Sequence, residues 1–259
     1  MTDSDVLSRV SLIVITFNEE DNIERCLTSA GGVGEIIVVD SFSTDRTVAR
    51  ARQRGAAVHR REYVSAADQK NWAIERATRD WILILDADES LSPELKTEIV
   101  LELSSPRADG YLLRRRNYFF GSRIRYCGWQ NDRVLRLFRR GKGHYPEIAV
   151  HERLGLEGRI AACSAYLDHR SYRDMADYIE RMKSYSRRGA EELLSRGTGW
   201  FPAVVTHPIA RFVRMYLLQR GFLDGRAGLL LCTMAAASVF FKYATLCEMT
   251  MSRGDRTDR

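Results

Sequence analysis

Val10 to Thr16 (VSLIVIT) is a β-branched run with almost no polar relief, too short for a helix. Such a run predicts a strand buried on both faces. Asn18 then stands as a helix cap, with Ile23, Cys26, Leu27 and Ala30 at i, i+3, i+4 and i+7 and with Gly31, Gly32 and Gly34 behind them. Glu35 to Asp40 (EIIVVD) predicts a second buried strand. A helix from Thr44 to about Arg54 follows, closed by Gly55, and then a brief strand at Ala57 to His59. Ser65 to Thr78 reads as helix and Trp81 to Leu85 (WILIL) as a fourth strand. Ser92-Pro93-Glu94 opens a further helix with a cap, a proline at the first position and an acid in the first turn. After Asp109 the pattern changes. Tyr111 to Arg116 suggests one more strand, and a Gly- and Arg-rich segment runs to Gly143. Helical periodicity returns at about Arg173, giving a helix to Arg188 and, after Pro202 and Pro208, others to about Met249.

Alternating strands and helices predict an α/β domain around a mainly parallel sheet with helices on both faces. The expected division is a catalytic domain over residues 1–169 and an α-helical C-terminal extension over 170–259. Within the domain, a ligand-binding half runs to about 106 and a second half over 107–169. Binding sites in such sheets lie beyond the carboxyl ends of the strands. The residues there are Thr16-Phe17-Asn18-Glu19, Asp40-Ser41 and Asp86-Ala87-Asp88-Glu89.

The 259 residues are 45% hydrophobic and 29% charged, enough apolar content for a sizeable core. The net charge of +6 is unevenly spread. Residues 1–106 carry 12 basic and 19 acidic residues, whereas 107–142 carry 11 and 2, and 170–259 carry 15 and 9. That division argues against a uniformly basic nucleic-acid binder. The five cysteines form no CxxC, so a reducing compartment is expected, without a structural zinc or a disulfide framework. MTDSDVLSRV has no apolar core of a secretory signal. The longest apolar stretch, Ala227 to Phe241, is shorter as a helix than the ~30 Å hydrocarbon layer, so a simple membrane span is not expected.

In WILILDADES, two carboxylates at i and i+2 directly follow a buried strand. That placement suits Mg²⁺ or Mn²⁺, which take hard oxygen ligands and keep positions open for phosphate oxygens. Asp40 at a strand tip suits hydrogen bonds from a nucleobase or ribose, while Ser43 or Thr44 also suits a helix cap. No GxGxxG and no GxxxxGK[ST] is present, which leaves dinucleotide and P-loop binding unsupported. Between Arg107 and Lys142, arginines alternate with Tyr111, Tyr118, Phe119, Phe120, Tyr126 and Trp129. Rings that stack on sugars and Arg forks that hold phosphate, Trp129 and Arg136 among them, fit a phosphorylated saccharide, against a solvated basic face as the plainer reading.

VSLIVITFNEEDNIERCL, EIIVVDSFSTDRT and WILILDADE resemble the family 2 glycosyltransferases of the Rossmann-like GT-A fold. GWQNDRVLRLFRRGKGHY and AVHERL are similar to their lipopolysaccharide core β-1,4-glucosyltransferase-like branch. The resemblance implies an inverting, metal-dependent transfer of a hexose from a nucleotide sugar, UDP-glucose at family level, to a lipid-linked anionic glycan such as lipopolysaccharide core. It places Thr16, Phe17, Asn18 and Glu19 around the nucleotide, Asp40 at the base, Asp86 at the ribose or donor sugar, and Asp88 on the metal. Lys70 would lie near the diphosphate or sugar; an exposed helix lysine is the alternative. The family's ED motif, which holds the base, is Asn131-Asp132 here. Asp132 is therefore the first candidate and Glu152 the second, with an ion pair to Arg133 or Arg136 as the structural alternative for Asp132. His151 is a candidate third metal contact or a structural histidine. The expected location is cytoplasmic, peripheral at the inner face of the cell membrane. There the basic, aromatic tail would meet anionic lipid or else pack on the catalytic domain or a second subunit. A competing reading is a non-catalytic module of the same fold docking on anionic membrane or nucleic acid. The acids at three strand ends favour the enzyme, because a docking surface has no use for them.

Overall fold

The structure, a computed structural model, describes residues 2–146, 154–196 and 202–257. The strands are β1 (Val10–Thr16), β2 (Glu35–Asp40), β3 (Ala57–Arg60), β4 (Trp81–Asp86), β5 (Glu89–Leu91), β6 (Gly110–Phe119), β7 (Ser122–Arg123), β8 (Arg133–Arg139), β9 (Gly143–His144), β10 (Gly155–Leu156) and β11 (Ile160–Tyr172). The helices are α1 (Asp3–Leu7), α2 (Ile23–Ser29), α3 (Thr47–Gln53), α4 (Ala66–Ile74), α5 (Pro93–Ser104), α6 (Met175–Ser195), α7 (Ala203–Val213) and α8 (Gly225–Thr257). The chain forms two compact units, residues 1–116 with 132–169, and residues 117–131 with 170–259. Residues 117–131 thus cluster with the C-terminal helices.

The first unit is built on a mixed sheet in the order β3-β2-β1-β4-β8-β6-β11-β5. β3, β2, β1 and β4 are parallel, as the βα alternation predicts. β8 lies antiparallel between β4 and β6, so the sheet is mixed on that side and the chain crosses over from β4 to β6 before returning as β8. Alternate side chains of the central strands enter opposite cores. Leu12, Val14, Trp81, Leu83 and Leu85 pack with α2 and α5, whereas Ile13, Ile82 and Ile84 pack with Ala73 and Ile74 of α4. This burial on both faces explains why β1 and β4 read as unbroken apolar runs.

Two helix starts differ from the sequence reading. Asn18 does not cap α2. It takes a left-handed conformation (φ +52°), and α2 begins only at Ile23. The Asn18 Oδ1 instead accepts the Thr44 amide at 2.8 Å. α3 likewise begins at Thr47 rather than Thr44, because Ser43, Thr44 and Asp45 spend their polar groups on the β1–α2 loop. α5 starts as expected, with Ser92 Oγ accepting the Leu95 amide.

The second unit has its own core of Phe119, Ile124, Cys127, Tyr178, Met215, Leu231, Cys232 and Met234. α6 and α8 are longer than their apolar patterns suggested, and α7 continues through Pro208. The apolar stretch Ala227 to Phe241 lies inside the 33-residue α8. Gly221–Met251 is long and apolar enough to cross a membrane, with a mean hydropathy of 1.6 in its richest window. The expectation that the segment is too short to span is therefore corrected. Helix continues beyond both flanking charges, Arg226 and Lys242, which the apolar pattern alone took as ends.

Candidate active site

At the ends of β1 and β2, Thr16 and Asp40 are register partners on adjacent strands. Asp40 is fully buried. Its Oδ2 accepts the Ser43 amide at 3.0 Å and lies 3.7 Å from Arg60 Nε. Asp40 Oδ1 and Thr16 Oγ1 are buried with no hydrogen-bond partner among the described residues. A buried polar atom left unpaired costs about 1–3 kcal/mol. This pair is an open acceptor beside an open hydroxyl, suited to a ligand with its own N–H and C=O groups. Phe17 and Phe42 are 56% and 53% exposed in the two adjoining loops. Phe42 holds φ +63°, a conformation costly for a residue with a bulky side chain. The sequence reading missed Phe42, since strain at one loop residue leaves no compositional trace. The Glu19 amide donates to Thr47 Oγ1 at 2.8 Å, and its carboxylate accepts from Asn22 at 2.7 Å, so Glu19 braces the start of α2 against α3.

At the end of β4 the acids take different partners. Asp86, its side chain 30% exposed, pairs with Lys70 at 3.0 Å, with Arg115 at 3.4 Å and with Arg136. Lys70 is buried, 5.5 Å from the Tyr145 ring centroid, and is not the exposed helix lysine of the alternative reading. Glu89 is wholly buried. It accepts from the Asp86 amide at 2.9 Å and pairs with Arg115 at 2.5 Å and Arg136 at 3.2 Å. Three cations thus face Asp86 and Glu89. Burial works to raise the Asp86 pKa, but Arg136, then Lys70 and Arg115, outweigh it and hold the carboxyl well below the usual range. Burial opposes the Glu89 charge in the same way, and Arg136 foremost keeps its pKa low. Arg136 therefore serves as an internal counter-charge to both acids.

Asp88 faces His169, with Nε2 to Oδ2 at 3.6 Å. β11 brings the histidine there by pairing antiparallel with β5, His169 opposite Glu89 and Asp168 opposite Ser90. Burial lowers the His169 pKa, but the hydrogen bond and charge of Asp88 more than offset it and the net shift is upward. Arg25 of α2 braces the turn, donating to Ser90 Oγ at 2.9 Å and to the Asp88 carbonyl at 3.2 Å. One carboxylate and one imidazole suit a divalent cation. Among the described residues no three His, Cys, Asp or Glu gather as a closed metal cage. Two protein ligands leave positions open for phosphate oxygens.

Asp132 stands just before β8. Its carbonyl accepts the Arg115 amide at 2.9 Å and its carboxylate lies 3.7 Å from Arg115 Nη1, with the side chain 30% exposed. Arg115 is thus a cation beside the Asp132 carboxylate. The structure thus brings Thr16, Asp40, Lys70, Asp86, Asp88, Asp132 and Arg136 to the strand-end region of the first unit, with Phe17, Asn18 and Glu19 on the adjoining loop. Trp129 belongs to the second unit. His151 and Glu152 lie outside the described residues. His169 and Arg115 were not foreseen, and Glu89, placed at the strand end by the sequence, was given no role of its own.

The glycosyl transferase family 2 model matches residues 11–191. The chain belongs to this family and is a glycosyltransferase. The lipopolysaccharide core biosynthesis glycosyltransferase LpsC of Rhizobium meliloti is 30% identical over 262 residues, 91% of this chain and 93% of that protein. An uncharacterized glycosyltransferase of Rickettsia typhi is 27% identical over 263 residues, 95% of this chain and 89% of that one. Among solved structures, the mannosyltransferase PcManGT from Pyrobaculum calidifontis, in complex with GDP-Man and Mn²⁺, superposes with a TM-score of 0.52 at 17% identity. It covers 92% of this chain and 87% of that one. The shared architecture is the α/β GT-A fold with a C-terminal helical part.

Proposed function

We propose that this chain is an inverting, metal-dependent hexosyltransferase. It moves a sugar from a nucleotide donor, UDP-glucose, to a lipid-linked anionic glycan of the lipopolysaccharide core kind, at the cytoplasmic face of the cell membrane. The observation that carries the reading is the division of labour among strand-end acids. Asp40 keeps an open buried oxygen, Asp86 is locked to three cations, and Asp88 is left facing a histidine. The similarity to LpsC supports the acceptor class.

Thr16 and Asp40 take the polar edge of the base, and Phe17 and Phe42 offer exposed rings beside it. Asp86, held ionised, accepts from ribose or donor-sugar hydroxyls. Lys70 lies beside Asp86, where its charge reaches the diphosphate. Asp88 and His169 are the residues that would hold Mg²⁺ or Mn²⁺, whose charge offsets that developing on the leaving diphosphate. Asp132 takes the proton from the acceptor hydroxyl as its oxygen attacks the anomeric carbon in line. The sugar is delivered with inverted configuration. Arg115 lies beside both Asp86 and Asp132 and so links the donor-side acid to the base.

A panel of UDP-, GDP- and ADP-sugars tests this reading by thermal stabilisation with and without Mn²⁺. UDP-glucose is expected to raise the melting temperature most, and only with metal. Equal stabilisation without metal, or none by any nucleotide sugar, overturns it.

A further inference from the structure

A cavity of about 380 Å³ lies within the second unit, among α6, α7, α8 and Trp129. Pockets of this size hold small ligands or head groups. Its wall is graded along α8. Leu231 and Ala235 line one end, Ser238 and Val239 the middle and Lys242 the other, at successive helical turns. α7 runs beside α8 in the opposite sense: His207 meets Tyr243 at 4.7 Å between ring centroids, while Met215, just past the end of α7, shares a core with Leu231. Arg211 therefore falls at the polar end and Met215 at the apolar end. Both gradients point the same way.

The polar end holds two cations, and among the described residues no carboxylate lines the cavity. Neither Arg211 nor Lys242 has a carboxylate partner among the described residues. The unit around them carries 17 basic and 9 acidic residues. The wall is tied in place. Tyr178 and Ser238 share a hydrogen bond at 2.8 Å, Ser186 Oγ donates to the Ser238 carbonyl at 3.3 Å, and the stem of Lys242 lies over Gly189, where a Cβ would come within 2.8 Å of it. Burial pushes the Tyr178 hydroxyl pKa up, against the Ser238 hydrogen bond and the nearby charge of Arg211.

We infer that this cavity binds the phosphate head of an anionic amphiphile, a phospholipid of the membrane surface. Arg211 and Lys242 hold the phosphate, and the wall of Leu231, Ala235 and Met215 meets the apolar part. Two lining cations, neither with a carboxylate partner among the described residues and Lys242 also 4.9 Å from the Tyr243 ring centroid, match a phosphate's charge and oxygens. An apolar opposite end has no complement in a free inorganic anion. The exposed apolar residues of the same helices, Val205 and Ile209 on α7 and Phe240 and Phe241 on α8, place the cavity beside a surface that lipid would cover. This binding is independent of the transfer reaction.

Trp129 lines the cavity, so tryptophan emission of the full-length protein reports its occupancy. The probes are monomeric dihexanoyl phosphatidylglycerol, dihexanoyl phosphatidylcholine and inorganic phosphate. Phosphatidylglycerol is expected to shift the emission saturably, and Trp129→Phe to remove the shift. Arg211→Gln with Lys242→Gln should weaken binding about tenfold or more. Arg211→Lys with Lys242→Arg should restore most of it, and Arg214→Gln with Arg226→Gln, exposed cations outside the cavity, should leave it within about threefold. UDP-glucose stabilisation, followed on the Arg and Lys variants, should be unchanged, which separates failure here from failure of the transfer reading. Equal binding of phosphatidylcholine, equal loss in the outer-cation variant, or displacement of the lipid by equimolar inorganic phosphate would each overturn the inference, the last in favour of a free-anion site.

Discussion

Asp86, Glu89 and Asp88 lie within four residues, yet their surroundings assign them different tasks. Glu89 is buried against Arg115 and Arg136 and holds the Asp86 amide, so it fixes the turn. Removing one partner of such a buried set leaves an uncompensated charge, which ties the geometry of Asp86 to all of them. Asp88 lies opposite the partly exposed His169 imidazole and is the group placed to take a cation. Asp88→Asn is expected to fold, as circular dichroism would show, and to lose Mn²⁺-dependent nucleotide stabilisation and transfer. His169→Gln should do the same more mildly, with the loss partly recovered at high Mn²⁺. A folded Asp88→Asn enzyme with near-normal activity would falsify the metal assignment. The base has a parallel test, because losing a general base costs about 10²–10⁴ in rate. Asp132→Asn should lower turnover by that order while donor stabilisation persists. If Glu152→Gln gives that pattern and Asp132→Asn is mild, the role moves to Glu152.

Secondary elements pack tightly where the chain turns beneath the sheet, and one glycine makes this testable. Gly34 joins α2 to β2, its amide donating to both Leu7 and Val10 carbonyls. A Cβ there would stand 2.0 Å from the Ser8 carbonyl oxygen, a backbone atom held by the α1–β1 turn. Gly34→Ala should therefore cost about 1–3 kcal/mol, read as a lowered urea midpoint with the m-value unchanged. Gly55→Ala meets no atom, so any cost there comes from its φ of +80° alone. The same element scale separates what sequence could reveal from what it could not. β1, β2 and β4 were legible because burial on both faces writes an unbroken apolar run, and the acids after them followed from chain direction. His169 was not legible. Its position depends on β11 pairing with β5 across more than 70 residues, a register that no local pattern encodes. The start of α2 was misread at Asn18 because its side chain serves the Thr44 amide, a tertiary bond that overrides local capping preference. That Trp129 joins the helical unit was not legible either, because the excursion of residues 117–131 is a tertiary choice with no local signature.

At the scale of the molecule, the question is how α8 meets a membrane. Its 33 residues extend about 50 Å, so length does not prevent crossing. Its neighbour within the unit argues against it. α6 packs along α8 and carries Arg181, Lys183, Arg187, Arg188, Glu191 and Glu192. Their contacts fall in the middle of α8, through Ser238 and Lys242. Placing that stretch in hydrocarbon would carry a polar helix with it, at a cost of several kcal/mol for charges that find no partner. Lying in the interface lets α6 stay in water while Phe240, Phe241, Leu229 and Leu230 reach lipid. The expected behaviour is peripheral. The full chain should pellet with phosphatidylglycerol-containing vesicles at low salt, pellet poorly with phosphatidylcholine alone, and be released in part by high salt and by alkali. Deleting residues 200–259 is a poor probe, because Phe119, Ile124 and Cys127 pack on residues of that segment and would lose their core. Phe240→Asp with Phe241→Asp changes only exposed positions. It should lower vesicle pelleting severalfold while leaving the melting temperature and UDP-glucose stabilisation in place. Resistance of the wild-type protein to alkaline extraction would mean that α8 crosses the bilayer, whereas unchanged pelleting of the Phe240→Asp, Phe241→Asp protein would move the contact to another face.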